Sequence, residues 1–118
     1  MITEEKQLLL VDLCARLPYH PIVYVNENLP RLKLGSATRA REYVAIDKPC
    51  KPYLRPIFSM TKEERNEYDS KRKHICDDYN RYCFDTVASI DWLNAHHFDY
   101  RGLIDKGLAL EASEGMYN

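Results

Sequence analysis

Pro18-Tyr19-His20-Pro21-Ile22-Val23-Tyr24-Val25 opens, and Pro49-Cys50-Lys51-Pro52-Tyr53-Leu54-Arg55-Pro56 closes, the one segment that holds all six prolines of the chain. Proline fixes φ and removes a backbone donor, so long helices are unfavourable there while turns and short or edge strands are allowed. Residues 18–56 therefore read as strand and loop. Within them Ile22-Val23-Tyr24-Val25, Arg31-Leu32-Lys33-Leu34, Glu42-Tyr43-Val44-Ala45-Ile46 and Tyr53-Leu54-Arg55 cluster strand-forming residues between turn residues. Asn26-Glu27-Asn28 and Gly35-Ser36-Ala37-Thr38 read as connections, because Asn and Gly tolerate left-handed backbone and Ser and Thr bond their own main chain. These linkers are too short for parallel crossovers, so the pattern predicts an antiparallel four-stranded meander or a small, partly open barrel.

Helical periodicity appears on both sides of this segment. Before it, Thr3 is a candidate N-cap, Glu4 and Glu5 suit a first helical turn, and Leu10, Val11, Leu13, Cys14 and Leu17 recur at helical spacing. A helix over residues 4–17 is predicted, with Cys14 on its buried stripe and Pro18 ending it. After the segment, Thr61-Lys62-Glu63-Glu64 matches a capping box. The stripe Tyr68, Ile75, Tyr79, Tyr82 and Cys83 predicts a helix from there to about residue 82. Asp85 or Thr86 then caps a third helix with Val87, Ile90, Leu93 and either Asn94 or His97 facing inward and Trp92 beside them. A further turn around residues 100–106 should end at Gly107, a natural left-handed C-cap. Leu108 to Leu110 would pack, and residues 111–118 would fray. The expected fold class is α+β, with an N-terminal helix and two or three C-terminal helices packed on the sheet, in one domain spanning residues 1–118.

The chain of 118 residues is 45% hydrophobic and 30% charged with a formal net charge of -1, as expected for one globular domain and too little for a two-domain enzyme. Its longest apolar run, Leu8 to Val11, falls far short of the roughly 20 residues a membrane helix needs. The opening Thr3, Glu4, Glu5 is unlike a basic signal peptide. Cysteines 14, 50, 76 and 83 are expected as reduced thiols inside a cell, since a chain this long folds without disulfide staples.

Charge is unevenly placed. Arg31, Lys33, Arg39, Arg41, Lys48, Lys51 and Arg55 face only Glu42 and Asp47 between residues 31 and 55, so this stretch carries five surplus positive charges and the remainder six negative. Tyr43 and Tyr53 interleave the basic residues, a composition suited to stacking bases while Arg and Lys hold phosphates. In Gly35-Ser36-Ala37-Thr38-Arg39-Ala40-Arg41 a turning backbone, the Ser36 and Thr38 hydroxyls and two guanidinium groups offer donors to an anion, without the spacing of a P-loop. The candidate ligand-binding set is thus Arg31, Lys33, Ser36, Thr38, Arg39, Arg41, Tyr43, Lys51, Tyr53 and Arg55. A solvated sheet face and an ordinary hairpin connection are the plainer readings of the same residues.

Catalytic and metal chemistry find less support. His74, Asp77 and Asp78 share a helical face and Cys76 and Cys83 another, but neither Cys-x-x-Cys nor His-x-x-x-His spacing occurs. No metal and no cofactor is expected. His96-His97-Phe98-Asp99 could pair an imidazole with a carboxylate, yet no nucleophile elbow or reactive-cysteine context accompanies it, so helix capping is the better reading. Trp92, Tyr68, Tyr79 and Tyr82 read as core or rim, while nine tyrosines in a chain this short suit an exposed protein contact surface.

Lys51-Pro52-Tyr53-Leu54-Arg55-Pro56 followed by Ser59 to Glu64, the string Trp92 to Ile104, Lys106-Gly107-Leu108-Ala109, and the opening Leu8-Leu9-Leu10 to Tyr19 resemble a family of small proteins carried by Bacteroides phages, prophages and related mobile elements. The resemblance spans most of the chain. It implies an accessory protein acting in a bacterial cytoplasm, and brings with it no activity, cofactor or catalytic residue. Residues and resemblance together predict a non-enzymatic protein that binds a host or phage macromolecule as an adaptor or inhibitor, counter-defence included. The alternative is a phosphate-ligand binder that holds a nucleotide or nucleic acid through residues 31–55. No membrane partner is expected, and association with a second copy is compatible with the composition.

Overall fold

The computed structural model describes residues 2–45, 50–75, 82–84 and 86–117. Its fold is α+β, built among the described residues from four α-helices and a small open sheet. Helix α1 spans Thr3–Arg16, with Ile2 at the N-cap and the Glu5 carboxylate accepting from the Ile2 amide at 3.3 Å. The cap thus falls one residue before Thr3. Strands β1, Ile22–Tyr24, and β2, Leu32–Lys33, form an antiparallel pair. β1 also pairs antiparallel with β3, Lys51–Pro56, the longest strand.

Three of the four expected strands are therefore present, and the fourth is a helix. Residues 42–46 read as strand, but Ala37–Ala45 forms α2. Ser36 starts it: its Oγ accepts from the Arg39 amide at 3.4 Å and its carbonyl from the Ala40 amide at 3.1 Å. Ala40 and Val44, four residues apart, are both buried in the cluster that also holds Leu9 and Leu13 of α1. An apolar pair at helical spacing with a partner helix to cover it outweighs the strand preference of Tyr43 and Val44. The Gly35 to Thr38 connection becomes a helix entry for the same reason.

The sheet is mixed. Its order is β2-β1-β3-β6, where β6 is Phe98–Asp99, and β7, Leu110–Glu111, also pairs with β3. Both C-terminal strands run parallel to β3. The meander expected from residues 18–56 is corrected here, because the crossover that parallel pairing needs comes from the C-terminal helices, outside that segment. Of these, α3 spans Lys62–Arg72 and α4 spans Thr86–Ala95. The helix expected to reach residue 82 stops at Arg72, and Lys73–Ile75 (β4) pairs antiparallel with Tyr82–Phe84 (β5), where Ile75, Tyr82 and Phe84 are strand-forming residue types. In α4, Trp92, Leu93 and Asn94 are buried as expected, whereas Val87 is 72% exposed rather than inward.

Two hydrophobic clusters result. One joins α1, the sheet, α2 and the segment Leu103 to Ala109; the other holds Trp92, Leu93 and Phe98 with Tyr68, Ile57 and Met60 against them. Arg16, fully buried, ties them together. It forms a two-pronged ion pair with the fully buried Asp12 at 2.8 and 3.1 Å and donates to the Phe98 carbonyl at 2.7 Å. Arg101 reaches the same Asp12 carboxylate at 3.2 Å.

Residues 111–117 are not frayed, and Asn118 lies outside the described residues. Besides β7, the Tyr117 hydroxyl accepts from the Ile22 amide at 3.0 Å and donates to the Tyr53 carbonyl at 2.6 Å. It thereby links β1 to β3 one residue beyond their Val23 to Pro52 pairing. Gly107 has φ +73 with open space where a Cβ would stand. Gly107→Ala is thus expected to cost about 1 kcal/mol through backbone strain alone, read as a drop of a few degrees in a thermal melt. An unchanged melting temperature would show that this turn does not hold its left-handed conformation.

Candidate functional site

The end of β3 leads through a single 3-10 turn, Ile57–Ser59, to the start of α3, and this junction builds one side of a cleft. The capping box expected at Thr61 is present: the Glu64 amide donates to Thr61 Oγ1 at 3.1 Å and the Thr61 amide returns a bond to Glu64 Oε1 at 3.0 Å. Both Glu64 oxygens also accept from Arg55, at 2.7 and 2.8 Å. The planar guanidinium fork matches the carboxylate, and its other surface lies over the Phe98 ring at 4.2 Å. The Arg55 hydrogen bonds, helped by the Thr61 amide and by His96, hold the Glu64 carboxyl down at about 2 against the cost of its partial burial.

The opposite side comes from the end of α4 and from residues 111–117, which enclose a volume of about 660 Å³, within the range of small-ligand sites. His96 Nδ1 stands 3.9 Å from Glu64, and its ring stacks on Trp92 at 4.1 Å between centroids. His97 is 7% exposed, has a left-handed φ of 63 and stacks on Tyr117 at 3.5 Å. Burial first, then the nearby Arg16, His96 and Arg55, bring the His97 pKa down to about 4, so the ring is neutral at pH 7. Its Nδ1, itself buried, has no hydrogen-bond partner among the described residues. Burial likewise pushes the Tyr117 hydroxyl up to about 12.

The residues singled out from the sequence lie in four places. Lys33, Lys51 and Tyr53 share one face of the sheet, since Lys33 pairs with Ile22, Lys51 pairs with Tyr24, and Tyr53 follows Lys51 by two; Leu54 and Pro52 fill the buried face. Tyr53 donates to the Pro30 carbonyl at 3.1 Å. Thr38, Arg39 and Arg41 are exposed on α2, where the Arg39 guanidinium donates to Tyr43 Oη at 3.4 Å, while Ser36 caps that helix. Arg31 is exposed before β2. Arg55 alone reaches the cleft, and there it is committed to Glu64.

Among the other candidates, Lys48, Cys76, Asp77, Asp78, Tyr79 and Asp85 lie outside the described residues, and for His74, Tyr82 and Cys83 only the backbone is described. Among the described residues no group of three metal-ligating side chains comes together. The His-Asp pairing conceivable within residues 96–99 is replaced by another arrangement. Asp99 accepts from the Leu103 and Ile104 amides at 2.9 and 3.0 Å, capping the turn that follows, and the carboxylate beside His96 is Glu64. Cys14 is half-buried and Cys50 buried, both free, with burial lifting the Cys50 thiol to about 11 and away from reactivity.

Reasoning from the sequence missed Glu111, Glu114 and Tyr117. The capping box did point to Glu64, and the two histidines to the facing wall; no local pattern reported that residues 111–117 fold back across the sheet. Among the described residues no helix is long and apolar enough to cross a membrane. Fold and cleft together define a small α+β protein with one polar, carboxylate-bearing cleft. Compared with protein-family models, curated proteins and solved structures, the chain finds no match.

Proposed function

We propose that this protein works by binding a macromolecule, as a non-enzymatic adaptor or inhibitor of a phage or mobile element, and that its contact surface is centred on Phe58 and the adjoining cleft. The observation that carries the reading is Phe58 itself, 88% exposed at the tip of the 3-10 turn, between Pro56 and Ser59 of the cleft wall. A large aromatic ring held in water on a short, rigid turn gains most by entering a partner's pocket, and such rings are frequent interface anchors. The resemblance to small Bacteroides phage proteins supplies the setting, a host or phage partner in a bacterial cytoplasm with counter-defence as one use.

Immobilised protein exposed to host lysate should retain a stoichiometric protein partner, and Phe58→Asp should weaken that retention tenfold or more while leaving the melting temperature unchanged. Retention unaffected by Phe58→Asp overturns the assignment. The alternative, capture of a nucleotide or nucleic acid through the basic segment, draws on Lys33, Lys51 and Tyr53 sharing a sheet face. It requires steep salt dependence and loss of binding in Lys33→Ala, Lys51→Ala, Arg39→Ala or Arg41→Ala.

A further inference from the structure

Where β2, β1 and β3 lie side by side, the sheet sets its outer residues in two rows. Ile22 stands opposite Lys33, and the register of β1 with β3 continues from Val23 and Pro52 to bring Tyr53 to the other side of Ile22. In the next row Tyr24 stands opposite Lys51, with Arg31, one residue before β2, on its other side. Side chains two apart along a strand share a face, so these residues stand opposite Val23, Pro52 and Leu54, which fill the core. Each row joins an aromatic ring to cations: Lys33 with Tyr53, and Tyr24 between Arg31 and Lys51. No Asp or Glu falls in either row, and none of the three cations makes an ion pair among the described residues. The rings supply an observation independent of charge. The Tyr53 hydroxyl donates to the Pro30 carbonyl at 3.1 Å, and because β1 lies between β3 and the chain entering β2, the ring must lean across β1 to make that bond. A ring tied at its hydroxyl has already given up the freedom that a loose surface side chain surrenders on binding. Tyr24 and Tyr53 are diagonal neighbours on adjacent strands, roughly 7–8 Å apart, a spacing that adjoining nucleotides of an extended strand can bridge.

We infer that this face binds single-stranded nucleic acid, with bases stacked on Tyr24 and Tyr53 and phosphates held by Arg31, Lys33 and Lys51. Every base has a π-face that a tyrosine ring can take, and the flanking cations meet the backbone on either side of the rings. A duplex keeps its bases stacked on one another and out of reach of the rings. A free nucleotide is too short to engage both rows. A protein partner fits less well, because lysine is depleted at the centre of protein interfaces and nothing here would stack as a base does. The inference rests on the nucleic-acid alternative above, to which it gives a surface, a strandedness and a further residue, Tyr24. It is independent of the contact at Phe58, and with both surfaces in use the adaptor would join a protein to a single strand.

The test is a fluorescence-anisotropy titration of the full chain with a labelled oligothymidylate of about ten nucleotides, a length one small sheet can span. Saturable binding is expected, with log K falling against log salt at a slope of about −2 for three cations on a single strand. Tyr24→Leu should weaken binding about tenfold, while Tyr24→Phe, which keeps the stacking ring, should bind as wild type does. Lys33→Ala combined with Lys51→Ala should also weaken it at least tenfold and flatten the slope to about −0.7, whereas Lys106→Ala, outside the sheet face, should change neither. The lysine variant keeps the test decisive if Tyr24→Leu lowers the melting temperature. No binding at low salt overturns the inference, as does equal affinity of Tyr24→Leu and wild type. Inorganic polyphosphate of matched charge competing as well as the oligothymidylate overturns it too, but leaves the phosphate-binding alternative standing. Tighter binding of the same sequence as a duplex overturns it in favour of a backbone contact alone. Phe58→Asp should leave oligothymidylate binding unchanged, so the protein-binding reading and this one fail separately.

Discussion

Arg16→Ala is expected to lower the stability of this protein by about 3–5 kcal/mol, the usual consequence of removing one partner from a buried ion pair. The loss has three sources. Asp12, with no exposure of its own, would keep only Arg101 at 3.2 Å; the Phe98 carbonyl would lose its donor at 2.7 Å; and a cavity would open beside Tyr100, whose ring the Arg16 guanidinium approaches at 5.2 Å. Since Arg16 joins the α1 and sheet cluster to the Trp92, Leu93 and Phe98 cluster, the change also separates two halves of the core. Against a total stability of about 5–15 kcal/mol this is a large fraction, and a melting temperature lower by about 10–20 °C should follow. Denaturant titration measures it directly. The double variant Asp12→Leu, Arg16→Met removes both charges and should recover much of the loss, leaving mainly the orphaned Phe98 carbonyl and a partly exposed Arg101 without its carboxylate. A single variant within 1 kcal/mol of wild type would show that the pair contributes nothing net to the native state.

That network also shows what the sequence could and could not reveal. Asp12 and Arg16 stand four residues apart on α1, a spacing that ordinarily marks an exposed surface pair. Nothing in the local pattern says that the turn after α4 returns to bury them. The apolar stripe of α1, the capping box at Thr61 and the left-handed Gly107 were legible because each rests on residues within one or two helical turns. Residues 37–45 were misread for the opposite reason. Tyr43 and Val44 favour strand locally, and the docking of Ala40 and Val44 beside Leu9 and Leu13 decides for helix. The parallel partners of β3 lie some forty to sixty residues further along the chain, so a reading confined to the proline-rich segment found three of the strands and their antiparallel sense but no sign of β6 or β7.

The candidate site divides along the same line. Basic residues close together in sequence form one candidate set whose convergence the sequence leaves open, and a strand, a helix and a helix cap carry them to different places, with Arg55 meeting Glu64 nine residues on. The cleft instead gathers residues from 55 to 117, a separation no motif spans. What could be read was chemical type: Glu64 in its capping box, two adjacent histidines and an abundance of tyrosine. What could not was which of them would face one another across the cavity.

The second large effect is a loss of stability on mild acidification, and His97 is its source. An unfolded histidine takes up its proton near 6.5, whereas in the folded chain His97 does so only near 4, because burial and the neighbouring Arg16, His96 and Arg55 all disfavour the imidazolium. Between those values the unfolded chain binds more protons, so stability must fall as the pH drops. It is complete above about 6.5, declines from there to 4, and reaches a floor below, the whole step amounting to about 2–3 kcal/mol. Glu64 acts in a lower window. Its folded value of about 2 against 4.5 unfolded means that its contribution is present above 4.5 and is lost as the pH falls toward 2. The two steps are separable by denaturant titrations between pH 7 and 3. His97→Asn supplies the decisive comparison, because asparagine tolerates the left-handed φ of 63 and does not titrate. That variant should start lower, having lost the stack on Tyr117 at 3.5 Å, yet its stability should hardly change between pH 6.5 and 4.5, while wild type falls steadily. The same slope in both proteins would place the acid sensitivity elsewhere and show that the His97 ring takes its proton in the folded chain as readily as in water.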